Sequence, residues 1–361
     1  MKIIHIIEAS ATGTLSMASL LANAQVKAGH SVGVIFSRRP ETPEDFASHF
    51  DSSVQLHHIQ MHNMQEKLKS IPQLRILLKK AVPDVVFLHS SFSGFLGRLA
   101  ALCILPKTRF FYLPHCISFM RQDVGRLKKL IFIAFEWVAA IKTADYVACS
   151  ESEQKTIRAA IPFRPCHLVE NALDFNSIPA PNNLALGERS KMVITVGQIR
   201  PQKGPDIFAR IAREVKNADP AINFLWVGDG DPVQRAKLEA ADIHVTGWVS
   251  KSQVWEYLGN ARLYLSTALW EGMPVSLIEA GCVGLPVVAS SCPGNIDVVV
   301  HERTGWLYQS SAEASKYVLT ALNDLGLSQS IAQSAFEIAK KRFKVERYIR
   351  EMEELIQLQT R

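Results

Sequence analysis

IPAPNNLALGERS, residues 178–190, interrupts an otherwise regular alternation of apolar runs and helical segments. Pro181, Asn182 and Asn183 stand in a row with little apolar periodicity around them, which reads as a linker. Before it come IIHII (3–7), VGVIF (32–36), VVFLH (85–89), FFYLP (110–114) and YVACS (146–150). After it come VITVG (193–197), NFLWVG (223–228), IHVTG (243–247), LYLST (263–267) and PVVAS (286–290). Near-continuous apolar strands separated by amphipathic helices belong to parallel sheets covered on both faces. The pattern therefore predicts an α/β chain of two doubly wound, Rossmann-like domains facing across a cleft. Their expected limits are 1–177 and 191–343, joined by 178–190. The tail KVERYIREMEELIQLQTR (344–361) reads as a charged amphipathic helix on the surface, crossing back to the first domain or staying on the second. Ligands of such sheets sit beyond the carboxyl ends of strands. Residues just after strands are thus the candidates for chemistry.

The 361 residues suffice for two domains of ordinary size. With 48% apolar and 20% charged residues, the composition is globular and excludes a disordered chain. The six cysteines form no CxxC pair and are expected to be reduced core thiols of a cytoplasmic protein. MKIIHIIEAS carries Glu8 too early for an export signal and reads as a strand. The longest apolar run, LIFIAFEWVAAI (130–141), falls short of the roughly 20 residues of a membrane span and contains Glu136. Residues 1–180 hold 20 Lys and Arg against 14 Asp and Glu, while the remainder is balanced, so the whole excess of +6 lies in the first half. That asymmetry points to an anionic partner there, a phosphate or a membrane surface. Nucleic acid is disfavoured, because there is no long basic run and no recognition motif.

In the second half, WEGMPVSLIEAG (270–281) sets Glu271 and Glu279 eight positions apart around a Gly-Met-Pro turn. Pro274 suits a first helical position, which leaves Glu271 in the preceding loop and Glu279 inside the helix. Eight helical positions span ~12 Å, whereas the carboxylates of a glycosidase stand roughly 5 to 9.5 Å apart. The spacing therefore disfavours a hydrolytic dyad. The helix start offers free N–H groups near Met273, Val275 and Ser276 together with a positive dipole end, which suits a phosphate. A phosphate flanked by two carboxylates fits a nucleotide diphosphate sugar, one glutamate accepting sugar hydroxyls and the other ribose hydroxyls. Taken alone, the segment is equally an ordinary helix with an acidic start. VGQIRPQKGPD (196–206) follows a strand and supplies Arg200 and Lys203, cations able to carry charge on a leaving diphosphate, or else simply a solvated turn. DGD (229–231) has no accompanying metal ligand and reads as a turn, and no metal is expected.

Together these segments resemble the retaining glycosyltransferases of the two-Rossmann GT-B fold, in the large family 4. The resemblance rests on Glu271-x7-Glu279, on the V-G-x5-K-G loop VGQIRPQKG (196–204), and on WVGDGD (226–231). PVVASSCPGNIDVVV (286–300) and HERTGWLY (301–308) match the family's downstream region. LHSSFSGFLGRLAA (88–101) and YLPHCISF (112–119) look like a subgroup that builds bacterial surface polysaccharides. The resemblance implies transfer of a sugar from a nucleotide diphosphate sugar, with retained anomeric configuration, without metal or other cofactor, to a glycan or lipid-linked acceptor. It implies that Glu279 holds the ribose, and that Glu271 with the backbone of Gly272, Met273, Pro274, Val275 and Ser276 holds the sugar and phosphates. Lys203 stabilises the leaving group, His115 contacts the transferred sugar, and Gly13, in the loop after the first strand, admits donor or acceptor closely.

The sequence departs from the family pattern at Gln198, where an arginine is usual, so that a phosphate contact is lost or moves to Arg200. The glycine pair of the first loop is reduced to Gly13, and Asp297 replaces a common glutamate. The segment RQDVGRLKKLIFIAFEWVAAIK (121–142) is read as a buried helix with a basic start, the other reading being a helix resting on a membrane. Two rival functions share the architecture: a nucleotide-sugar epimerase, which needs no acceptor, and a non-catalytic donor-binding subunit. A dinucleotide-dependent dehydrogenase is poorly supported, since no G-x-G-x-x-G follows an early strand.

Overall fold

The computed structural model describes residues 1–178 and 185–357, so the central part of the predicted linker, 179–184, lies outside the described residues. Two compact units divide the chain, Met1–Asn171 joined by the stretch from Tyr348 onward, and Ala172–Arg347. The first contains strands β1 (Lys2–Ile7), β2 (Ser31–Phe36), β3 (Gln55–His58), β4 (Val85–His89), β5 (Arg109–Leu113), β6 (Asp145–Ala148) and β7 (Cys166–Leu168). They form one sheet in the order β3-β2-β1-β4-β5-β6-β7, with every pairing parallel. The second contains β8 (Met192–Val196), β9 (Asn223–Val227), β10 (His244–Val245), β11 (Leu263–Ser266), β12 (Val287–Ser290) and β13 (Trp306–Tyr308). Their order is β10-β9-β8-β11-β12-β13, again parallel throughout.

All ten apolar runs appear as strands. The three strands that the runs did not reveal, β3, β7 and β13, are all sheet edges of three or four residues. An edge strand has one neighbour and no continuous apolar cover, so its sequence carries a weak signal; QLHH at β3 is mostly solvent-exposed. Strand order reverses between β1 and β4 and between β8 and β11. These two switch points are where each sheet leaves a crevice beyond its strand ends.

From Tyr348 on, the C-terminal helix Val345–Gln357 belongs to the first unit, where Arg109 donates to the carbonyls of Leu355 (3.0 Å) and Ile356 and His30 faces Glu353 at 3.6 Å. The six cysteines form no disulfide, but the expectation of core thiols fails for Cys103, which is exposed, and in part for Cys116, which is half-buried. No helix among the described residues is long and apolar enough to cross a membrane.

The segment 121–142 is not the buried helix the sequence suggested. Its helix, Arg126–Ala139, buries only Glu136 and Ala139, while Leu127, Leu130, Ile131, Phe135, Trp137 and Val138 are exposed. Phe132, Ile133 and Ala139 pack its inner side on the core, and a buried polar cluster fixes it there. Glu136 Oε2 accepts from the fully buried guanidinium of Arg98 (2.7 Å) and from the Tyr146 hydroxyl (2.8 Å), and Tyr112 donates to Oε1 at 3.3 Å. Burial pulls the Arg98 pKa down, but the Glu136 carboxylate outweighs it and leaves the value raised. The periodic pattern marked a face of this helix but not which side of it met the sheet.

Truncating either partner strands a buried charge, so Arg98→Ala or Glu136→Ala should cost about 3–5 kcal/mol. The double replacement Arg98→Met with Glu136→Leu should recover most of that loss. Urea denaturation of the three variants checks this, and a double-variant loss equal to the sum of the two single losses would show that the charges do not act as a pair.

Candidate functional site

The second unit's switch point is built from the loops that follow β8 and β11. Gly197 leaves β8 with its carbonyl held by Trp226 Nε1 (2.8 Å), and Ile199 is laced to the neighbouring loop by its N–H on the Asp229 carbonyl (2.8 Å). The chain then turns through Pro201–Lys203 to Gly204, which is left-handed (φ 64°) and begins the helix Pro205–Ala218. A β-carbon at Gly204 would lie 2.1 Å from the Thr267 carbonyl oxygen. Only glycine lets the two loops approach this closely, and Thr267 completes the seam by donating to the Lys203 carbonyl (2.8 Å).

This seam brings Lys203 and Glu271 together, with Nζ 2.8 Å from Oε1. Gln202 Nε2 donates to Glu271 Oε2 (3.1 Å) and to the Trp270 carbonyl (2.9 Å). Glu271 is 8% exposed, and its buried Oε1 faces the Lys203 ammonium directly. Burial lowers the Lys203 pKa, the facing Glu271 carboxylate raises it by more, and the lysine stays protonated. Glu271 is also fixed from behind. Its N–H donates to the Pro293 carbonyl (2.9 Å), and Gly294 (φ 88°) packs so closely that a β-carbon there would sit 2.6 Å from the glutamate's own Cβ.

The helix after Glu271 runs Val275–Cys282, so Pro274 is its N-cap rather than its first residue, with extended backbone (ψ 109°) and no side-chain acceptor. The first-turn positions Val275 and Ser276 are half-exposed, while Gly272, Met273 and Pro274 are buried. Glu279, 4% exposed, is held by Lys251, the first residue of the helix Lys251–Asn260, whose ammonium also lies over the Trp255 ring at 4.8 Å. Each glutamate thus has its own lysine, and among the described residues no hydrogen bond joins the two carboxylates. Gln198 is half-buried beside Gly197, and Arg200 is exposed, close enough that its charge works against protonation of Lys203. The DGD carboxylates are committed to the fold: Asp229 pairs with Arg235 (2.8 Å), and Asp231 caps the helix Pro232–Glu239 through the Gln234 N–H (2.9 Å).

In the first unit, His115 stands two residues beyond β5 in a left-handed conformation (φ 53°), followed by Cys116 at φ 105°. Strain of this kind persists only where the surroundings enforce it. Here the enforcing group is the buried carboxylate of Glu153, which accepts from the N–H groups of Cys116 and Ile117 (both 2.8 Å) and of Cys149 (2.9 Å). His115 Nε2 meets His89 Nδ1 at 3.1 Å, His89 Nε2 meets His5 Nδ1 at 2.9 Å, and His5 Nε2 meets Gln25 Oε1 at 2.8 Å. Because Gln25 presents an oxygen, each imidazole donates through Nε2 and accepts through Nδ1, so the Nδ1 of His115 is left with a free lone pair. Burial pushes His5 and His115 down to about 4 and His89 further in the same direction, so the row is neutral near pH 7.

Gly13 is not in a loop, as the sequence suggested, but in the first turn of the helix Thr12–Lys27, whose N-cap Ala11 has no side-chain acceptor. The backbone strain of that loop falls on Thr12 (φ 49°) instead. Beside it, Glu8 is buried against Arg39 (2.5 Å) and Lys67 (3.5 Å), a cluster that sequence reading did not single out. Lys251, Gln202, Gly294, Gln25 and Glu153 were missed as well. Only the glycine left a local trace, in the CPGN turn.

Two family models match nearly the whole chain: Glycosyltransferase Family 4 over residues 13–177 and Glycosyl transferases group 1 over residues 178–338. Among curated relatives, the Escherichia coli UDP-Gal:alpha-D-GlcNAc-diphosphoundecaprenol alpha-1,3-galactosyltransferase is 30% identical over 265 residues, which is 67% of this chain and 66% of that protein. An uncharacterized 41.2 kDa protein of the Klebsiella pneumoniae cps region is 29% identical over 62% of this chain and 64% of its own length. The match to these two relatives therefore spans about two thirds of their lengths. Among solved structures, sucrose-phosphate synthase of Thermosynechococcus elongatus superposes with a TM-score of 0.84 at 16% identity, covering 99% of both chains. Anabaena HepE in complex with UDP gives 0.80 at 16% identity, covering 99% of this chain and 100% of that one. At such identity the likeness establishes the fold.

The buried imidazoles carry a pH signature. Their folded values lie below the usual 6.5, so on acidification the unfolded chain takes up protons first, and stability present at neutral pH is lost as pH falls through 6.5 towards 4. For fully buried His5 the loss at pH 5 is on the order of 1–2 kcal/mol. Denaturation midpoints at pH 7 and pH 5 should show this drop, and His5→Gln should make it smaller. An identical pH dependence in both proteins would refute the assignment.

Proposed function

We propose, from the premise that this chain belongs to family 4 of the glycosyltransferases and has their GT-B fold, that it moves a sugar from a UDP-sugar to a glycan or lipid-linked acceptor in cell-envelope polysaccharide biosynthesis. The observation that carries this reading is the Lys203–Glu271 pair at the β8/β11 switch point, set just before the uncapped start of the helix Val275–Cys282. A cation, a carboxylate with acceptor capacity and free first-turn N–H groups are what a sugar diphosphate needs at one place. Uridine as the nucleotide is supported by the UDP named for the HepE structure and the UDP-Gal named for the E. coli relative.

In this reading the first-turn groups from Gly272 to Ser276 and Lys203 receive the diphosphate, Glu279 takes the ribose hydroxyls, and Glu271 takes hydroxyls of the transferred sugar. In the first unit, the free Nδ1 lone pair suits His115 to accept from a sugar hydroxyl. The acceptor hydroxyl attacks the anomeric carbon from the face that the diphosphate leaves. The bond from that carbon to the phosphate oxygen breaks as the new glycosidic bond forms, and the departing phosphate takes the acceptor's proton. Configuration is retained, and no enzyme base is required. Lys203 and the helix start carry the negative charge that develops, a role that elsewhere falls to a metal ion, so activity should survive EDTA. The reaction takes place at the cytoplasmic side, where nucleotide sugars are found.

Lys203→Ala should lower kcat by roughly 100-fold or more, since it removes charge stabilisation that grows in the transition state. Glu279→Ala should instead weaken donor binding by about tenfold, the loss of a charged hydrogen bond. UDP release under steady-state conditions and calorimetric titration with UDP-sugars separate the two effects. Unchanged kinetics in both variants would sink the site, and a product nucleotide sugar formed without acceptor would mark an epimerase.

A further inference from the structure

The helix Arg126–Ala139 is apolar on two sides, one packed on the core through Phe132, Ile133 and Ala139 and the other facing solvent. Its one acid, Glu136, points into the unit and is neutralised by buried Arg98. Leu127, Leu130, Ile131, Phe135 and Val138, with Ile141 just beyond, fall on one face about 140° wide by helix geometry. That face is bare: Leu127 is 72% exposed, Ile141 68% and Leu130 61%. Trp137 continues the surface towards exposed Phe163, with ring centroids 5.1 Å apart, and its Nε1 already donates to the Ala160 carbonyl (2.9 Å), so the ring presents only apolar edge and face. An apolar patch of this extent, exposed in water, marks a contact with something else.

The charge around the patch indicates what that is. Arg126 and Lys128 are exposed at the helix start, and no ion pair neutralises either among the described residues. The nearby acid, Asp123, is already paired with Arg121 at 2.6 Å. A bare apolar face, a basic start and no exposed acid along the helix complement a surface that is apolar within and anionic at its rim. The helix is 14 residues long, about 21 Å, and too short to span a bilayer, so it would lie in the plane of one.

We propose that this helix docks the first unit on an anionic membrane surface. Its apolar face enters the boundary between headgroups and acyl chains, and Arg126 and Lys128 meet lipid phosphates. The proposal deepens the lipid-linked acceptor reading and rests on it for its purpose, because a docked enzyme meets such an acceptor at the surface. The docking itself is a separate physical property.

The full chain should float with vesicles of phosphatidylcholine mixed with phosphatidylglycerol and much less with phosphatidylcholine alone. Leu130→Asp combined with Val138→Asp should cut binding by roughly tenfold or more. Arg126→Glu with Lys128→Glu should bring binding to the mixed vesicles down to the level seen with phosphatidylcholine alone. All these side chains are exposed, so thermal unfolding and UDP binding should match the wild type. The proposal is overturned if wild-type protein does not float, or if the aspartate variant floats as well as wild type. It is also overturned if the chain sediments as a dimer that the aspartate variant dissociates, since a second copy then covers the face. UDP binding without flotation sinks the docking and spares the donor site, while flotation without UDP binding does the reverse.

Discussion

A parallel sheet wound in both directions from its centre has one pair of neighbouring strands whose following loops must part. In this chain that constraint operates twice, between β1 and β4 and between β8 and β11, and the side chains with distinctive chemistry gather where it operates. Lys203 and Glu271 come from the two loops that diverge in the second sheet. Glu8, His89 and His115 come from β4 and from the segments just after β1 and β5 in the first. The helices and core serve to hold these loop ends in register. The closest approaches, Gly204 on Thr267 and Gly294 on Glu271, occur where backbone must touch backbone or the base of a side chain.

Two kinds of buried ion pair follow from this arrangement. Arg98 and Glu136 are closed on themselves, with two tyrosine hydroxyls filling the remaining sites, so the pair orients a helix and offers nothing to a ligand. Lys203 and Glu271 are closed less completely. The lysine side chain keeps 19% exposure, so its remaining N–H groups are open to a further partner. A pair left partly unsatisfied is costly in an isolated protein and useful at a binding site, where an incoming anion or hydroxyl completes it.

How much of this was legible in the sequence depends on the range of each interaction. Strands in the sheet interior are continuous apolar runs and were readable, whereas β3, β7 and β13 are edges whose residues meet water. Glu271 and Glu279 announced themselves because a proline turn and a helix start lie between them. Their partners did not: Gln202 reaches Glu271 across 69 positions, and His5 reaches His89 across 84. No local pattern encodes such distances. The helix Arg126–Ala139 shows a different limit. Hydrophobic periodicity fixes that a helix has two faces and says nothing about which one the sheet receives; the answer lay in the match between Glu136 and an arginine 38 residues earlier. Gly13 was misplaced for a simpler reason, that a helix opened one residue before it, at Thr12, without the usual capping residue.

The row of imidazoles has a property that none of its members has alone. Each neutral ring must pass on the polarity it receives, so the three have only two shared settings, and reversing one reverses all of them. The amide of Gln25, buried at the far end, selects the setting, and the Nδ1 of His115 displays it at the loop end. The row therefore behaves as a rigid wire with one bit of memory, conveying an orientation across three adjacent strands while every backbone atom stays where it is.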